Sequence, residues 1–250
     1  MTIFCMTLST AVLSQNFYIA HRGASYDAPE NTVASVKLAW EVGADASEID
    51  VYLSSDNQVM VIHDKDTHRT CSGENFIIRD TPSSVLRALD AGIWKGPGFK
   101  GERIPTLEEI IATIPERKIL VVEIKCGSEI IPYLENILSK CNKQSQLIFI
   151  SFGWETIVNM KKSFPGNKAY WLTSNKADAL KKMSEAADAG LEGINMQHSA
   201  IDAEIITMAK KYHLEILAWT VDNPEEVKRL QALGVTHFTT NRPQWLKQQL

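Results

Sequence analysis

The sequence predicts an α/β fold, a closed parallel (β/α)8 TIM barrel with a small insertion or cap after its second strand. Three observations lead there. After residue 16, short runs rich in Val and Ile alternate with stretches of helical period. Several of those stretches open on capping residues followed by early acids. The 250-residue length suits one such barrel, which takes about 250 residues. A doubly wound open sheet is the competitor, but it wants a glycine-rich first turn, and none follows the first run.

Taken in order, Phe17-Tyr18-Ile19-Ala20 starts a strand at 17–21, and helical period follows at 30–42. The second strand, 46–52, is followed by Gln58 to His63, which reads as a hairpin partner returning across Ser54-Ser55-Asp56-Asn57. The spacing then breaks: residues 64 to 105 intervene before the helix at 106–114, which opens on Thr106-Leu107-Glu108-Glu109. Long strand-to-helix insertions on this fold lie over the catalytic face, so 64–105 is expected to shape the substrate entrance. Strand 118–124 precedes a helix at 128–141 opening on Ser128-Glu129, and strand 147–151 precedes a helix at 153–163. Strand 168–172 and helix 176–188 follow, then strand 192–196 and a helix at 202–212 opening on Asp202. Strand 214–219 precedes a helix at 223–233 capped by Asn223-Pro224-Glu225-Glu226, and strand 235–239 precedes the last helix, 243–250.

A net charge of −4 with interspersed signs offers no nucleic-acid face. With 44% hydrophobic and 22% charged residues the composition is that of a soluble globular chain. No apolar run reaches the roughly 18 residues of a membrane span, so no stable membrane insertion is expected. Residues 1–14 are read as a signal-peptide remnant: Ile3 to Leu13 is apolar, and Val12 and Ser14 sit at −3 and −1 to a cut before Gln15. No Lys or Arg precedes the run, and an N-terminal strand or a plug in the barrel bottom is the other reading. The first places a single domain, 15–250, in the periplasm or outside the cell; the second leaves it cytoplasmic. Cys71, Cys126 and Cys141 lack metal-site spacing and are expected to be unpaired thiols.

The chemistry gathers at strand ends. Glu48 and Asp50 are two apart on one strand and leave its same face, toward the barrel interior. Two carboxylates aimed together into an apolar barrel repel unless a cation lies between them. Glu123, ending the next parallel strand, completes an all-oxygen set suited to Mg²⁺ or Ca²⁺ rather than zinc. His21 ends the first strand and His63 the hairpin, beside those acids. In-line displacement at phosphorus needs a base on the attacking oxygen and an acid on the leaving one, and two imidazoles provide that pair. Arg22 and Lys125 are placed to hold non-bridging oxygens, with a plain ion pair to Glu48 or Glu123 the alternative for Lys125. Glu30 and Asn31, expected at the start of the first helix, would brace the His21 loop. Trp219 is open to two readings, an apolar wall for an alcohol moiety or barrel packing.

Taken together, His21-Arg22-Gly23, Pro29-Glu30-Asn31-Thr32, Gly43-Ala44-Asp45, Glu48-Ile49-Asp50-Val51, His63-Asp64, Ile104-Pro105-Thr106-Leu107-Glu108, Val122-Glu123-Ile124-Lys125 and Trp219-Thr220-Val221-Asp222 resemble the glycerophosphodiester phosphodiesterase family from about residue 17 to 246. The resemblance implies one divalent cation, Mg²⁺ or Ca²⁺, on Glu48, Asp50 and Glu123, with His21 and His63 as the acid/base pair. It implies cleavage of a small glycerophosphodiester to sn-glycerol 3-phosphate and an alcohol. Asn241 departs from the pattern, since many members carry Asp there, and Ser47 stands where an apolar residue is common. With no Ser, Cys or Asp nucleophile in the motif set, the substrate's own neighbouring hydroxyl is the expected attacker, through a cyclic glycerol phosphate. Two other classes compete. A non-catalytic glycerophosphodiester-binding barrel would be expected to have lost a histidine or ligand acid. A phospholipase acting on lipid would use Phe76, Ile77, Ile78, Ile93, Trp94 and Phe99 as a rim, where the simpler reading makes them the cap's own core.

Overall fold

Alternating Val, Ile and Leu let a strand bury both faces, one toward a barrel axis and one toward surrounding helices. In the computed structural model, which describes residues 16–250, eight such strands run parallel and close on themselves. In chain order the strands are β1 (Phe17–Ala20), β2 (Ala46–Leu53), β3 (Val59–Val61), β4 (Ile119–Ile124), β5 (Leu147–Ser151), β6 (Lys168–Thr173), β7 (Gly193–Gln197), β8 (Glu215–Trp219) and β9 (His237–Thr240). β3 stands outside the ring, antiparallel on the end of β2 with Val51 opposite Val61. The ring closes through β1, which pairs with β2 on one side and β9 on the other. The reading of residues 1–14 lies outside the described residues.

Helices α1 (Val33–Glu41), α3 (Leu107–Thr113), α4 (Ile131–Leu138), α5 (Trp154–Ser163), α6 (Lys176–Asp188), α7 (Ala203–Lys211), α8 (Pro224–Leu233) and α9 (Pro243–Gln248) follow the barrel strands, and the short α2 (Ser83–Leu86) lies in the insertion. The capping expectations hold at Thr106, Asp202 and Asn223, each the N-cap of its helix. Two starts differ. Glu30 and Asn31 precede α1 rather than open it, because Thr32 and Ser35 form the capping box and Asn31 takes a left-handed φ of 58°. Ser128 opens one 3₁₀ turn, and the α-helix proper begins at Ile131.

Two apolar layers result. Inside the ring lie Ile19, Ala46, Val121, Ile150, Tyr170 and Leu217, and a larger layer including Ile49, Val51 and Val122 packs against the helices. Each fully buried Ile or Val contributes about 1.5–3 kcal/mol. At the strand starts, the Tyr170 hydroxyl donates to Glu215, which also accepts from Lys168 Nζ at 2.9 Å. That end is closed by structural pairs, and the opposite end, under the strand-to-helix loops, is left for chemistry. Within the insertion, Phe76 and Ile78 pack into a small core with Met60, Ile62, Leu86 and Ile104, whereas Ile77 and Trp94 are exposed.

Ser47, on the helix-facing side of β2 with Ile49 and Val51, is fully buried, and its hydroxyl makes no hydrogen bond. A buried hydroxyl without a partner is destabilising, so Ser47→Ala is expected to stabilise the protein by about 1 kcal/mol. For a chain of this size that is a rise of about 2–4 °C in Tm by calorimetry, and an unchanged or lower Tm would contradict it.

Candidate functional site

The site is assembled from the turn after β1, the outer halves of β2 and β4, and the start of the insertion. Arg22 and Gly23 turn the chain with left-handed φ values of 56° and 80°. A Cβ on Gly23 would lie 2.4 Å from Ser35 Oγ, so only glycine fits. The turn is tied to its neighbours by backbone bonds, His21 N–H to Thr240 O at 2.9 Å and Gly23 N–H to Glu48 O at 3.1 Å. Arg22 N–H also donates to Glu48 Oε2 at 2.8 Å.

Parallel register sets Asp50 beside Glu123, and Glu48 lies two residues back on the same face of β2. All three carboxylates are buried, and each places an oxygen within 4.8 Å of the other two. Asn31 brackets Asp50: its Nδ2 donates to Asp50 Oδ2 at 2.8 Å and its Oδ1 accepts from Asp50 N–H at 3.0 Å. Lys125 Nζ lies 2.8 Å from Glu123 and 3.5 Å from Asp50, so the ion pair is the contact it makes here. Burial pushes the Glu48 carboxyl well up, and the charges of Asp50 and Glu123 add to it. Glu123 is raised to about 7, by burial first and by Asp50 next. Asp50 is held below its usual value, against burial, by Lys125 and Arg22.

These residues fit a divalent cation. Asp50 Oδ1 is buried with no hydrogen-bond partner, and two of the three carboxyls resist ionisation in the absence of added positive charge. A consequence is measurable. Because Glu48 and Glu123 have raised folded values, the folded protein holds protons that the unfolded chain releases. For Glu123 the destabilising effect is absent below about 4.5 and complete once pH exceeds about 7, and the raised Glu48 carboxyl acts in the same direction. At pH 7.5, Mg²⁺ or Ca²⁺ at a hundredfold excess over Kd is expected to raise Tm by about 5–10 °C, and near pH 4 the rise should vanish. A Tm insensitive to both ions at pH 7.5 would remove the case for a cation.

The two imidazoles face one cavity of about 150 Å³, lined also by Arg22, Lys125, Phe152, Leu172 and Trp219. His21 Nδ1 lies 2.7 Å from Asn241 Oδ1. Burial, with the Arg22 charge adding, pushes this imidazole down to about 4. His63 Nδ1 lies 2.6 Å from Asp64 Oδ1, and Asp64 Oδ2 accepts from Arg69 Nε at 2.7 Å. Hydrogen bonds from Arg69 and His63 hold Asp64 at about 2 against its burial. Arg69 also makes a two-pronged contact with Glu30, both arms at 2.7 Å, and Glu30 accepts from Arg22 at 2.9 Å. A continuous ionic chain thus joins the loops of the two histidines. Trp219 lines the cavity, edge-on to Phe152 at 5.6 Å, and its Nε1 donates to Asn195 O in the barrel wall.

All ten residues singled out from the sequence gather here, Glu30 at the margin through Arg22. Sequence reasoning missed Arg69, Asn195 and Phe152, and it noted Asn241 only as a departure rather than as a partner of His21. Asp222 lies in the Trp219-Thr220-Val221-Asp222 motif, and nothing in the sequence signals its contact with Asn241. For Phe152 a signal existed, since it follows directly on strand 147–151 with the inward parity of Ile148 and Ile150. Cys71, Cys126 and Cys141 are free, and burial raises the first two thiols to about 11, which disables them as nucleophiles at neutral pH.

Residues 21–245 match the sequence profile of the Glycerophosphoryl diester phosphodiesterase family. A glycerophosphodiester phosphodiesterase of Caldanaerobacter subterraneus subsp. tengcongensis is 36% identical over 233 residues, 91% of this chain and 95% of that one. A phosphodiesterase of Oleispira antarctica, solved in complex with the product sn-glycerol-3-phosphate, is similar at TM-score 0.87 and 31% identity, over 94% of this chain and 96% of that one. A glycerophosphodiester phosphodiesterase of Agrobacterium tumefaciens str. C58 gives TM-score 0.79 at 26% identity, over 93% and 99%.

Proposed function

The chain belongs to the glycerophosphoryl diester phosphodiesterase family, and from that premise we propose that it hydrolyses small glycerophosphodiesters to sn-glycerol 3-phosphate and an alcohol, using a divalent cation and the pair His21 and His63. It is an enzyme of phosphodiester hydrolysis. The observation that carries the finer reading is the meeting, at one barrel mouth, of three buried carboxylates, two imidazoles and two cations. The Oleispira antarctica relative holds the product named here.

Glu48, Asp50 and Glu123 would hold the ion, Mg²⁺ or Ca²⁺ by their all-oxygen donor set. When bound it neutralises the carboxylates and draws charge from the phosphoryl oxygens. Arg22 and Lys125 hold the non-bridging oxygens, Lys125 exchanging part of its contact with Glu123 for the substrate. His21, kept neutral by its burial, accepts the proton of the attacking hydroxyl. His63, whose ring is held by Asp64 through Nδ1, gives a proton to the departing alcohol. The attacker is the glycerol hydroxyl next to the ester oxygen. It forms a bond to phosphorus as the bond to the alcohol breaks, and water then opens the cyclic phosphate. Trp219 and Phe152 form the apolar wall beside the organic part of the substrate.

The competing classes are not favoured. Both histidines line the cavity with Glu48 and Glu123, and Asp50 lies in the same acid cluster, unlike a degenerate binder. Among the described residues no helix is long and apolar enough to cross a membrane. Within the insertion the apolar set is divided, with Phe76 and Ile78 in its core. The signal reading of residues 1–14 places the mature enzyme in the periplasm or outside the cell; the N-terminal residue of protein recovered from cells, Gln15 on that reading, decides it.

The test measures sn-glycerol 3-phosphate release from a panel of glycerophosphodiesters, with EDTA, with metal restored, and with an analogue whose neighbouring hydroxyl is methylated. Activity is expected to vanish in EDTA, return with Mg²⁺ or Ca²⁺, and be nearly absent on the blocked analogue. Full activity after EDTA and dialysis would refute the cation, and rapid turnover of the analogue would refute cyclisation.

A further inference from the structure

Asn241 follows β9, and its side chain lies between His21 and Asp222. Its Oδ1 is 2.7 Å from His21 Nδ1, and its Nδ2 donates to Asp222 Oδ2 at 2.6 Å. Asp222 is itself fixed: its Oδ1 accepts from Thr240 Oγ1 and from Asn241 N–H, both at 2.8 Å. A carboxylate can only accept, so the NH₂ end of Asn241 must face Asp222 and the oxygen must face His21. An oxygen facing His21 in turn requires a proton on Nδ1. Ser25 Oγ, 3.1 Å from Asn241 Oδ1, donates to the same oxygen and agrees with this orientation.

We infer that Asn241, oriented by the Asp222 carboxylate, is a positioning residue that holds His21 as its Nδ1–H tautomer and leaves Nε2 as the nitrogen able to take a proton. The inference deepens the reading of His21 as the proton acceptor and rests on it. An amide can serve at this position because the orienting carboxylate stands one residue further from the imidazole, at Asp222.

The arrangement predicts what each exchange does. In Asp222→Asn, the new side chain keeps its oxygen on Thr240 and the Asn241 N–H, so it presents NH₂ where Asp222 presented Oδ2. Asn241 must then reverse to offer its own oxygen, which turns its NH₂ toward His21 and forces the proton onto Nε2. The wrong tautomer leaves no acceptor for the substrate hydroxyl. In the double exchange Asp222→Asn with Asn241→Asp, every hydrogen bond is restored: residue 222 donates to the new carboxylate, which accepts from His21 Nδ1–H.

The test is nitrogen NMR of the histidine side chains in the whole protein at neutral pH, with the His21 signals identified by their loss in His21→Gln. The wild type is expected to show Nδ1–H, Asp222→Asn to show Nε2–H, and the double exchange to return to Nδ1–H. Turnover of glycerophosphocholine should fall by about 10²–10⁴ in Asp222→Asn with KM changed much less, and recover to within about tenfold in the double exchange. A wild-type His21 protonated on Nε2 overturns the inference outright, and this reading needs neither Asp222→Asn nor the double exchange to fold. Retention of Nδ1–H in Asp222→Asn overturns it as well, and so does a reversed tautomer without loss of turnover. If the wild type releases no sn-glycerol 3-phosphate, the functional reading fails instead, and the tautomer of His21 is still measured.

Discussion

Glu123→Gln is expected to lower turnover about a thousandfold or more while leaving the protein folded. The substitution keeps the shape and an oxygen for Lys125, and it removes one of three charges that would hold the cation. A metal ion supplies several kcal/mol of charge stabilisation in phosphoryl chemistry, and each 1.36 kcal/mol is tenfold in rate. Glu123 is also a group whose ionisation is resisted, with a value near 7. Its neutral replacement should therefore stabilise the metal-free protein above that pH, so a loss of activity cannot be ascribed to unfolding. Initial rates across a range of Mg²⁺ and Ca²⁺ concentrations, with Tm measured alongside, decide the matter. A variant within threefold of wild type at every concentration would show that the carboxylate cluster is not the cation site.

His63→Ala is expected to cost about 10²–10⁴ in turnover on natural substrates, the usual range for lost proton transfer. Substrate binding should change much less, because on the proposed reading Arg22 and Lys125 would carry the phosphate contacts. The assignment of His63 to the departing alcohol gives a sharper comparison. A nitrophenyl ester of glycerol phosphate leaves without needing a proton, so the variant should lose far less on it than on glycerophosphocholine. Equal losses on both substrates would move His63 off the leaving group. The Asp64 contact and the Arg69–Glu30 chain make the histidine's position depend on groups from two loops, so circular dichroism of the variant should accompany the rates.

What the sequence determined by itself was whatever depends on near neighbours along the chain. Strand parity put Glu48 and Asp50 on one face, because successive side chains in a strand alternate. Thr106, Asp202 and Asn223 marked helix starts because a cap bonds backbone groups two or three residues away. The helical period of 30–42 starts the helix after His21-Arg22-Gly23 too early, since Thr32 and the left-handed Asn31 set its start through local geometry that periodicity does not reveal. Only the tertiary structure decided the partners. Register between β2 and β4 brings Asp50 to Glu123, and closure of the ring brings Asn241 to His21 across 220 positions. Arg69, 39 residues from Glu30, reaches it because the insertion folds back over the barrel mouth. Likewise Ile77 and Ile78 are adjacent and equally apolar, yet one is exposed and the other buried, because packing of the cap on Met60 and Ile104 selects a side. Periodicity and capping are written in the order of residues, whereas hydrogen bonds and charge pairs between distant segments exist only once barrel closure has set the distances between them.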